Sequence, residues 1–234
     1  MHYNSPLFEG RLKKRYKRFL ADIELASGEL VTAHCANTGA MTGCKPDNAR
    51  VWLSYSEVKT RKYPYTWELV ELENQAMACI NTGLTNRIAR EAMEQGVITE
   101  LSGFDLCQPE VPYGNEKSRI DFLTRYGEQN CFIEVKHVTL KLDSGEAAFP
   151  DAVTSRGQKH LRELAEQVEF GHRAVMLFII MRTDVDLLIP AATIDPVYTD
   201  LLKQASDKGV EILAYKTAIN TQGIQVTGAI PVKL

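Results

Sequence analysis

The 234-residue sequence has no apolar stretch long enough to cross a membrane: its longest uninterrupted run, Ala174 to Met181, is eight residues, against the roughly 20 a spanning helix needs. That run reads as a buried strand. The opening Met1-His2-Tyr3-Asn4-Ser5-Pro6 has no apolar core followed by a cleavage site, so no secretory signal is expected. Cysteine is sparse. Cys35, Cys44, Cys79, Cys107 and Cys131 form no C-x-x-C pair, and His34-Cys35 with Cys44 fits no zinc spacing. Scattered thiols of this kind predict reduced, mostly buried cysteines in a cytoplasmic protein. The chain also lacks a glycine-rich phosphate loop and a carboxylate pair at identifiable glycosidase spacing, which leaves a carbohydrate-active enzyme without a motif. Nor is there an overall basic excess: 27 Lys/Arg face 30 Asp/Glu, a net charge of −3, which excludes a wholly basic polyanion binder.

The charge is unevenly placed, however. Residues 1–68 carry 11 basic against 7 acidic side chains, a net of +4, and the remainder 16 against 23, a net of −7. A basic front on an acidic body suits a polyanion that the mean charge conceals. Within the front, Arg11, Lys13, Lys14, Arg15, Lys17 and Arg18 form the densest run. As a strand, it sets Arg11, Lys13, Arg15 and Lys17 on one face at about 6.8 Å intervals, a spacing that suits phosphates along a single strand. Lys14 and Arg18 fall on the other face with Leu12, Tyr16 and Leu20. Such a strip binds backbone rather than sequence. Nearby aromatics (Tyr16, Phe19, Trp52, Tyr55, Tyr63, Tyr65, Trp67) suit either base stacking or a barrel core.

Up to about residue 75 the pattern is of short strands at Gly10–Leu25 (bent into two), Glu29–Ala36, Arg50–Tyr55 and Tyr65–Glu71. Their turns are Ala26-Ser27-Gly28, Asn37-Thr38-Gly39 and Lys45-Pro46-Asp47-Asn48. Five short strands in so few residues predict a small barrel of the OB type. Beyond Asn81-Thr82-Gly83 the period changes. Leu84, Ile88 and Ala92 mark a helix ended by Gly96, two strands follow at Ser118–Arg125 and Asn130–Val138, and a second helix starts near Ser155. A buried strand at Arg173–Met181, a strand at Val185–Ile189, a helix at Pro196–Lys208 and a strand at Val210–Tyr215 complete a mixed sheet with helices on its faces. The expected division is a barrel over residues 1–80 and a mixed-sheet domain over 81–234, of α+β or α/β class.

The chemistry centres on Arg119-Ile120-Asp121-Phe122-Leu123 and Cys131-Phe132-Ile133-Glu134-Val135-Lys136. In a strand Glu134 and Lys136 share a face, and charges on an otherwise apolar strand need partners. If Gly127-Glu128 is a two-residue turn with glycine first, paired residues sum to 255 and Asp121 lies opposite Glu134. Two carboxylates about 4.5–5.5 Å apart at Cβ call for a cation between them, and Mg²⁺ favours one or two carboxylates plus water and phosphate. Lys136 is placed to hold the attacking water or the scissile phosphate. A one-residue slip would turn Asp121 away.

Asp121 with Glu134-Val135-Lys136 resembles the D…(D/E)-x-K site of restriction-endonuclease-like nucleases. The longer string Tyr113-Gly114-Asn115-Glu116-Lys117-Ser118-Arg119-Ile120-Asp121, with Lys159-His160-Leu161-Arg162-Glu163-Leu164, His34-Cys35-Ala36-Asn37-Thr38-Gly39 and Ile194-Asp195-Pro196, resembles the sugar fermentation stimulation protein A family over essentially the whole chain. Where that family has Cys-Pro-Asn-Thr-Gly, this chain has Ala36 in place of proline. The resemblance implies an OB-like domain before a restriction-endonuclease-like one, DNA binding, and a link to regulation of maltose use.

Further residues have two readings each. Glu91 is either a third acid at the metal or a surface partner of Arg87. Gln158 either touches the site or completes a capping box begun at Ser155, the reading its spacing favours. His160 is a base or, more simply, a filler. Lys117 and Arg119 are expected on phosphates. The expectation is therefore a largely sequence-indifferent DNA-binding protein, on single or double strands, with a nuclease site at Asp121, Glu134 and Lys136. Asp121 and Glu134 would hold one or two Mg²⁺ or Mn²⁺ ions. The alternative is a non-catalytic DNA-binding regulator with a vestigial nuclease fold. A homodimer is the default assembly.

Overall fold

The computed structural model describes residues 1–234. The first sheet holds β1 (Phe8–Tyr16), β2 (Leu20–Leu25), β3 (Leu30–His34), β4 (Arg50–Tyr55), β5 (Tyr65–Glu71) and the short β6 (Met77–Cys79), in the order β3-β2-β1-β4-β5-β6. Ala33↔Tyr65 and His34↔Thr66 join β3 to β5 in parallel, so five strands close into a barrel. Alternation explains the closure: Leu12, Ile23, Ala33, Val51, Leu53 and Trp67 point inward and are buried.

The basic strip does not form as expected. The β1–β2 register shifts between Leu12 and Lys14, so a bulge at Lys13 breaks the alternation that was to align four cations. The strand also stops at Tyr16. Lys17 and Arg18 occupy the turn, with φ of 49° and 65°.

Next in the chain come α1 (Thr85–Glu94), β7 (Leu106–Tyr113), β8 (Ser118–Tyr126), β9 (Gln129–Val138), β10 (Leu140–Lys141), β11 (Ala147–Phe149), α2 (Ser155–Glu169), β12 (Arg173–Ile180), β13 (Leu188–Pro190), α3 (Pro196–Asp207), β14 (Glu211–Asn220) and β15 (Gly223–Ala229). The main sheet is ordered β15-β14-β12-β9-β8-β7, parallel only where β12 pairs with β9 and β14. Its β9 and β12 residues alternate between two cores. Ile133, Val135, Val175 and Leu177 pack with Ile88, Ala89, Ala92 and Met93 of α1. Phe132, Ala174, Met176 and Phe178 pack with Leu161 and Leu164 of α2 and Tyr198 and Leu202 of α3.

The α1-side core continues into the barrel, because Trp52, Leu69 and Cys79 belong to it. Cys79 N–H also donates to the Met181 carbonyl (2.9 Å), and Ala78 bridges Arg182. No helix of the chain is long and apolar enough to cross a membrane.

Candidate functional site

The β8–β9 hairpin turns at Gly127-Glu128, where Gly127 has φ +60°. Pairing runs in the 255 register from Tyr126↔Gln129 to Phe122↔Ile133 and stops one rung short of Asp121 and Glu134. There the strands part. The Asp121 carboxylate accepts the Val135 N–H (2.7 Å) in place of a ladder carbonyl, and Nδ2 of Asn86, at the start of α1, donates to its other oxygen (2.8 Å).

Glu134 is 3% exposed. Its Oε1 takes Lys136 Nζ at 2.5 Å and is also the partner of His160 Nδ1 on α2. Arg156 Nε approaches His160 Nε2 at 3.4 Å, which calls for the Nδ1–H tautomer. Lys136 and His160 therefore converge as two donors on one oxygen. The other, Oε2, is buried and has no hydrogen-bond partner, an unusual state for a carboxylate oxygen. Burial opposes ionisation of Glu134, yet Lys136 and His160 outweigh it and hold its carboxyl below the usual range. Asp121 moves the opposite way: burial first, then the neighbouring Glu134 charge, raise it despite its two donors and Lys136.

A second tier of buried polar groups fixes the walls. Glu163 on α2 is fully buried, and its Oε1 accepts the Glu116 N–H (3.0 Å), tying down the β7–β8 turn. Gly114 is required there: at φ +71° a Cβ would lie 2.3 Å from that oxygen. The Tyr113 hydroxyl is buried without a partner, and burial, followed by Glu134, raises its pKa. Thr154 caps α2 by accepting the Gly157 N–H (3.0 Å), so the capping box expected from Ser155 does not form. Gln158 Nε2 instead donates to both Asp195 oxygens (3.0 and 3.1 Å), and Asp195 caps α3 through the Tyr198 N–H (2.9 Å). Gln158 thus joins two helix starts.

Glu91 lies away from the acidic pair, bonded to the Met1 amino group (2.6 Å) and to Arg87 (3.2 Å), because it shares the α1 face that turns to the N-terminal segment. The α1 residue that does reach Asp121 is Asn86. His160, read as filler, lies at the centre. Asp121, Glu134 and Lys136 are brought together, but nowhere do three or more His, Cys, Asp or Glu side chains gather as a metal cluster.

The cations divide into two groups. Arg15 gives Nη2 to the Arg18, Asn37 and Gly39 carbonyls (2.6, 2.9 and 3.0 Å), and Arg18 Nε reaches the Thr38 carbonyl (3.1 Å). Lys13 pairs with Glu24, and Arg11 approaches the Asn48 carbonyl (3.5 Å). These four make contacts within the barrel, though Arg11, Lys13 and Arg18 stay exposed. Lys14, Lys17, Lys117 and Arg119 are exposed and have no carboxylate partner. The Ala36–Met41 segment held by Arg15 and Arg18 is tied to the approaches of the two helices that carry Asn86 and His160. Ala36 accepts from Thr82 (3.0 Å) just before α1, and Met41 N–H donates to Asp151 (3.2 Å) just before α2.

Residues 14–80 match the family model of the SfsA N-terminal OB domain, and residues 83–223 that of the sugar fermentation stimulation protein RE domain. A sugar fermentation stimulation protein homolog of a Marinomonas species is 52% identical over 98% of this chain and 89% of its own length. One from Citrifermentans bemidjiense is 53% identical, with both chains covered in full. A solved structure of Pyrococcus furiosus SfsA in complex with Ca²⁺ superposes with a TM-score of 0.90 at 27% identity, covering 100% of this chain and 98% of that one.

Proposed function

The chain belongs to the sugar fermentation stimulation protein family, and from that membership we propose that it binds DNA with little regard to sequence and holds a divalent cation at Asp121 and Glu134 for phosphodiester hydrolysis. The observation that carries this reading is the buried, unpartnered Oε2 of Glu134, beside an Asp121 whose carboxyl is raised by burial and by that same charge. Two carboxylates are hard oxygen donors that suit one or two Mg²⁺ or Mn²⁺ ions, with water and substrate phosphate completing the shell. The Ca²⁺ named with the Pyrococcus relative is a cation of the same donor preference. When bound, the cation supplies charge stabilisation at the transferring phosphoryl group and a more acidic water.

The chain's own residues do the rest. Asn86 and the Val135 N–H orient Asp121; His160 occupies Oε1 of Glu134 and leaves Oε2 free; Lys136, on the same strand face, positions or polarises the attacking water. Lys14, Lys17, Lys117 and Arg119 contact phosphates. DNA is the preferred substrate, single- or double-stranded, and a homodimer the default assembly.

With Mg²⁺ or Mn²⁺ the purified protein is expected to nick plasmid or shorten single strands, and Glu134→Ala to abolish this. Cleavage that survives in the variant refutes the assignment. The second reading, a non-catalytic DNA-binding regulator of sugar use, is favoured by one observation: Lys136 already pairs with Glu134 as in a structural ion pair, and His160 hydrogen-bonds the same oxygen. Filter binding that is steep in salt, with no cleavage under any divalent ion, selects it.

A further inference from the structure

The barrel has an aromatic cluster at the margin of its core, of which only Tyr65 packs against the buried interior. Phe8, Tyr55 and Tyr65 follow the inward alternation of Leu12, Leu53 and Trp67, but lie where their strands outrun the packed interior. Their rings emerge at that end. Phe8 is 45% and Tyr55 46% exposed, and Tyr65 is half-buried. Ring centroids are 6.0 Å apart for Phe8–Tyr55, 5.7 Å for Phe8–Tyr65 and 5.1 Å for Tyr55–Tyr65, tilted or edge-on, so part of each ring faces solvent. Trp52 and Trp67, by contrast, are buried.

A cationic loop stands beside the cluster. The β4–β5 connection leaves from Tyr55 and returns at Tyr65, closed by the Ser56 N–H on the Pro64 carbonyl (2.9 Å). Lys59, Arg61 and Lys62 are therefore leashed to these rings. None pairs with a carboxylate: Arg61 donates to the Thr66 hydroxyl (2.8 Å), and Lys62 lies 5.5 Å over the Tyr63 ring. With Glu57 the loop still carries a net +2. Elsewhere on the barrel, Lys13 and Arg50 are neutralised by Glu24 and by Glu9 and Glu71.

Exposed ring faces beside unpaired cations match one ligand chemistry in both halves: flat apolar bases joined by phosphates. We infer that this end of the barrel is a stacking platform for unpaired bases of a single-stranded nucleic acid, with Lys59, Arg61 and Lys62 on its backbone. The inference rests on the DNA-binding reading above and narrows it. Duplex bases already stack on one another and offer no free face, so the platform selects single strands or opened ends.

The test is fluorescence anisotropy on the full chain with three labelled probes: a dT oligonucleotide, an abasic strand of equal length, and a blunt duplex. Tyr55→Leu keeps apolar bulk and removes the ring; Phe8→Leu is the independent second variant. Each is expected to weaken dT binding about five- to hundredfold, the range for one lost base–aromatic stack, and to leave the abasic probe unchanged. Lys59→Gln with Lys62→Gln is expected to weaken both strands and lower the salt slope by roughly 1.5. Equal binding of dT and abasic strands, or dT affinity unmoved in both ring variants, overturns the platform while leaving DNA binding intact. So does a dimer, seen by sedimentation, that Tyr55→Leu dissolves without changing dT affinity. If no probe binds the wild type, the DNA-binding reading itself fails.

Discussion

Lys136→Met tests the electrostatics of the acidic site most directly. Lys136 Nζ lies 2.5 Å from Glu134 Oε1, with the two side chains 12% and 4% exposed. At an effective dielectric of about 20 their attraction is roughly 6–7 kcal/mol, much of it offset by the desolvation of both ions. Removing one partner of such a pair typically costs about 3–5 kcal/mol, because the other charge stays buried alone. Here His160 remains on the same oxygen, so the lower end, about 3 kcal/mol, is expected. In a chain of this size each kcal/mol is worth about 2–4 °C, which predicts a Tm lower by roughly 6–12 °C. Methionine keeps the stem packed, so the charge is what changes. The loss depends on pH: Glu134 has a depressed pKa, so its contribution is present above the unfolded carboxyl value and disappears as pH falls through the folded one. The two proteins should therefore converge in acid.

Calorimetric melts with and without Mn²⁺ complete the assay. An ion at 100 times its Kd adds about 2.7 kcal/mol, and at equal concentration it should stabilise the variant more than the wild type, since Lys136 no longer competes for Glu134. Identical melting temperatures at neutral pH refute the buried-pair argument, and identical Mn²⁺ shifts place the ion elsewhere.

His160→Ala should weaken Mn²⁺ binding about 10–100-fold in calorimetric titration, the usual consequence of losing the group that orients a ligand; His160→Gln should restore part of it, and unchanged affinity removes His160 from the site. His137 bonds Thr85 Oγ1 and the Cys79 carbonyl, and burial pushes its pKa down to about 4. The unfolded chain takes up that proton first, near pH 6.5, so the wild type should lose about 2–3 kcal/mol more than His137→Asn as pH falls from 6.5 to 4; parallel stability curves reject this. Arg15→Met should cost about 2 kcal/mol by freeing three carbonyls, whereas Lys17→Gln should leave stability unchanged and reduce the salt slope of DNA binding by about one. The reverse pattern would mean the structural and phosphate-contacting cations have been exchanged.

The hairpin register was legible because it depends on local chemistry alone: a glycine-first turn at Gly127 sets every pair behind it. The parting of the strands at Asp121 was not, since it requires a carboxylate to replace a carbonyl across the ladder. Glu163 and His160 were obscured by the pattern of α2, where His160, Glu163 and Gln167 recur at helical spacing as solvent-facing residues do, yet all three are buried. The β7–β8 hairpin covers that stripe. β7 itself, with Pro109, Pro112 and a positive φ at Glu110, reads as loop because prolines are tolerated only on such an edge strand. The bulge at Lys13 has no local signature, so the evenly spaced cation track was a fair reading of the alternation that the barrel does not realise.

Trp52, Leu69 and Cys79 sit in the same apolar interior as Ile88, Val135 and Leu177. Barrel and nuclease-like sheet consequently share a single fused foundation, without a hinge between them. The Ala36–Met41 segment, tied to Thr82 and Asp151, is therefore fixed relative to α1 and α2 when the chain folds. On the DNA-binding reading, any adjustment to fit falls to the nucleic acid, so the stiffness of the strand governs what can be held.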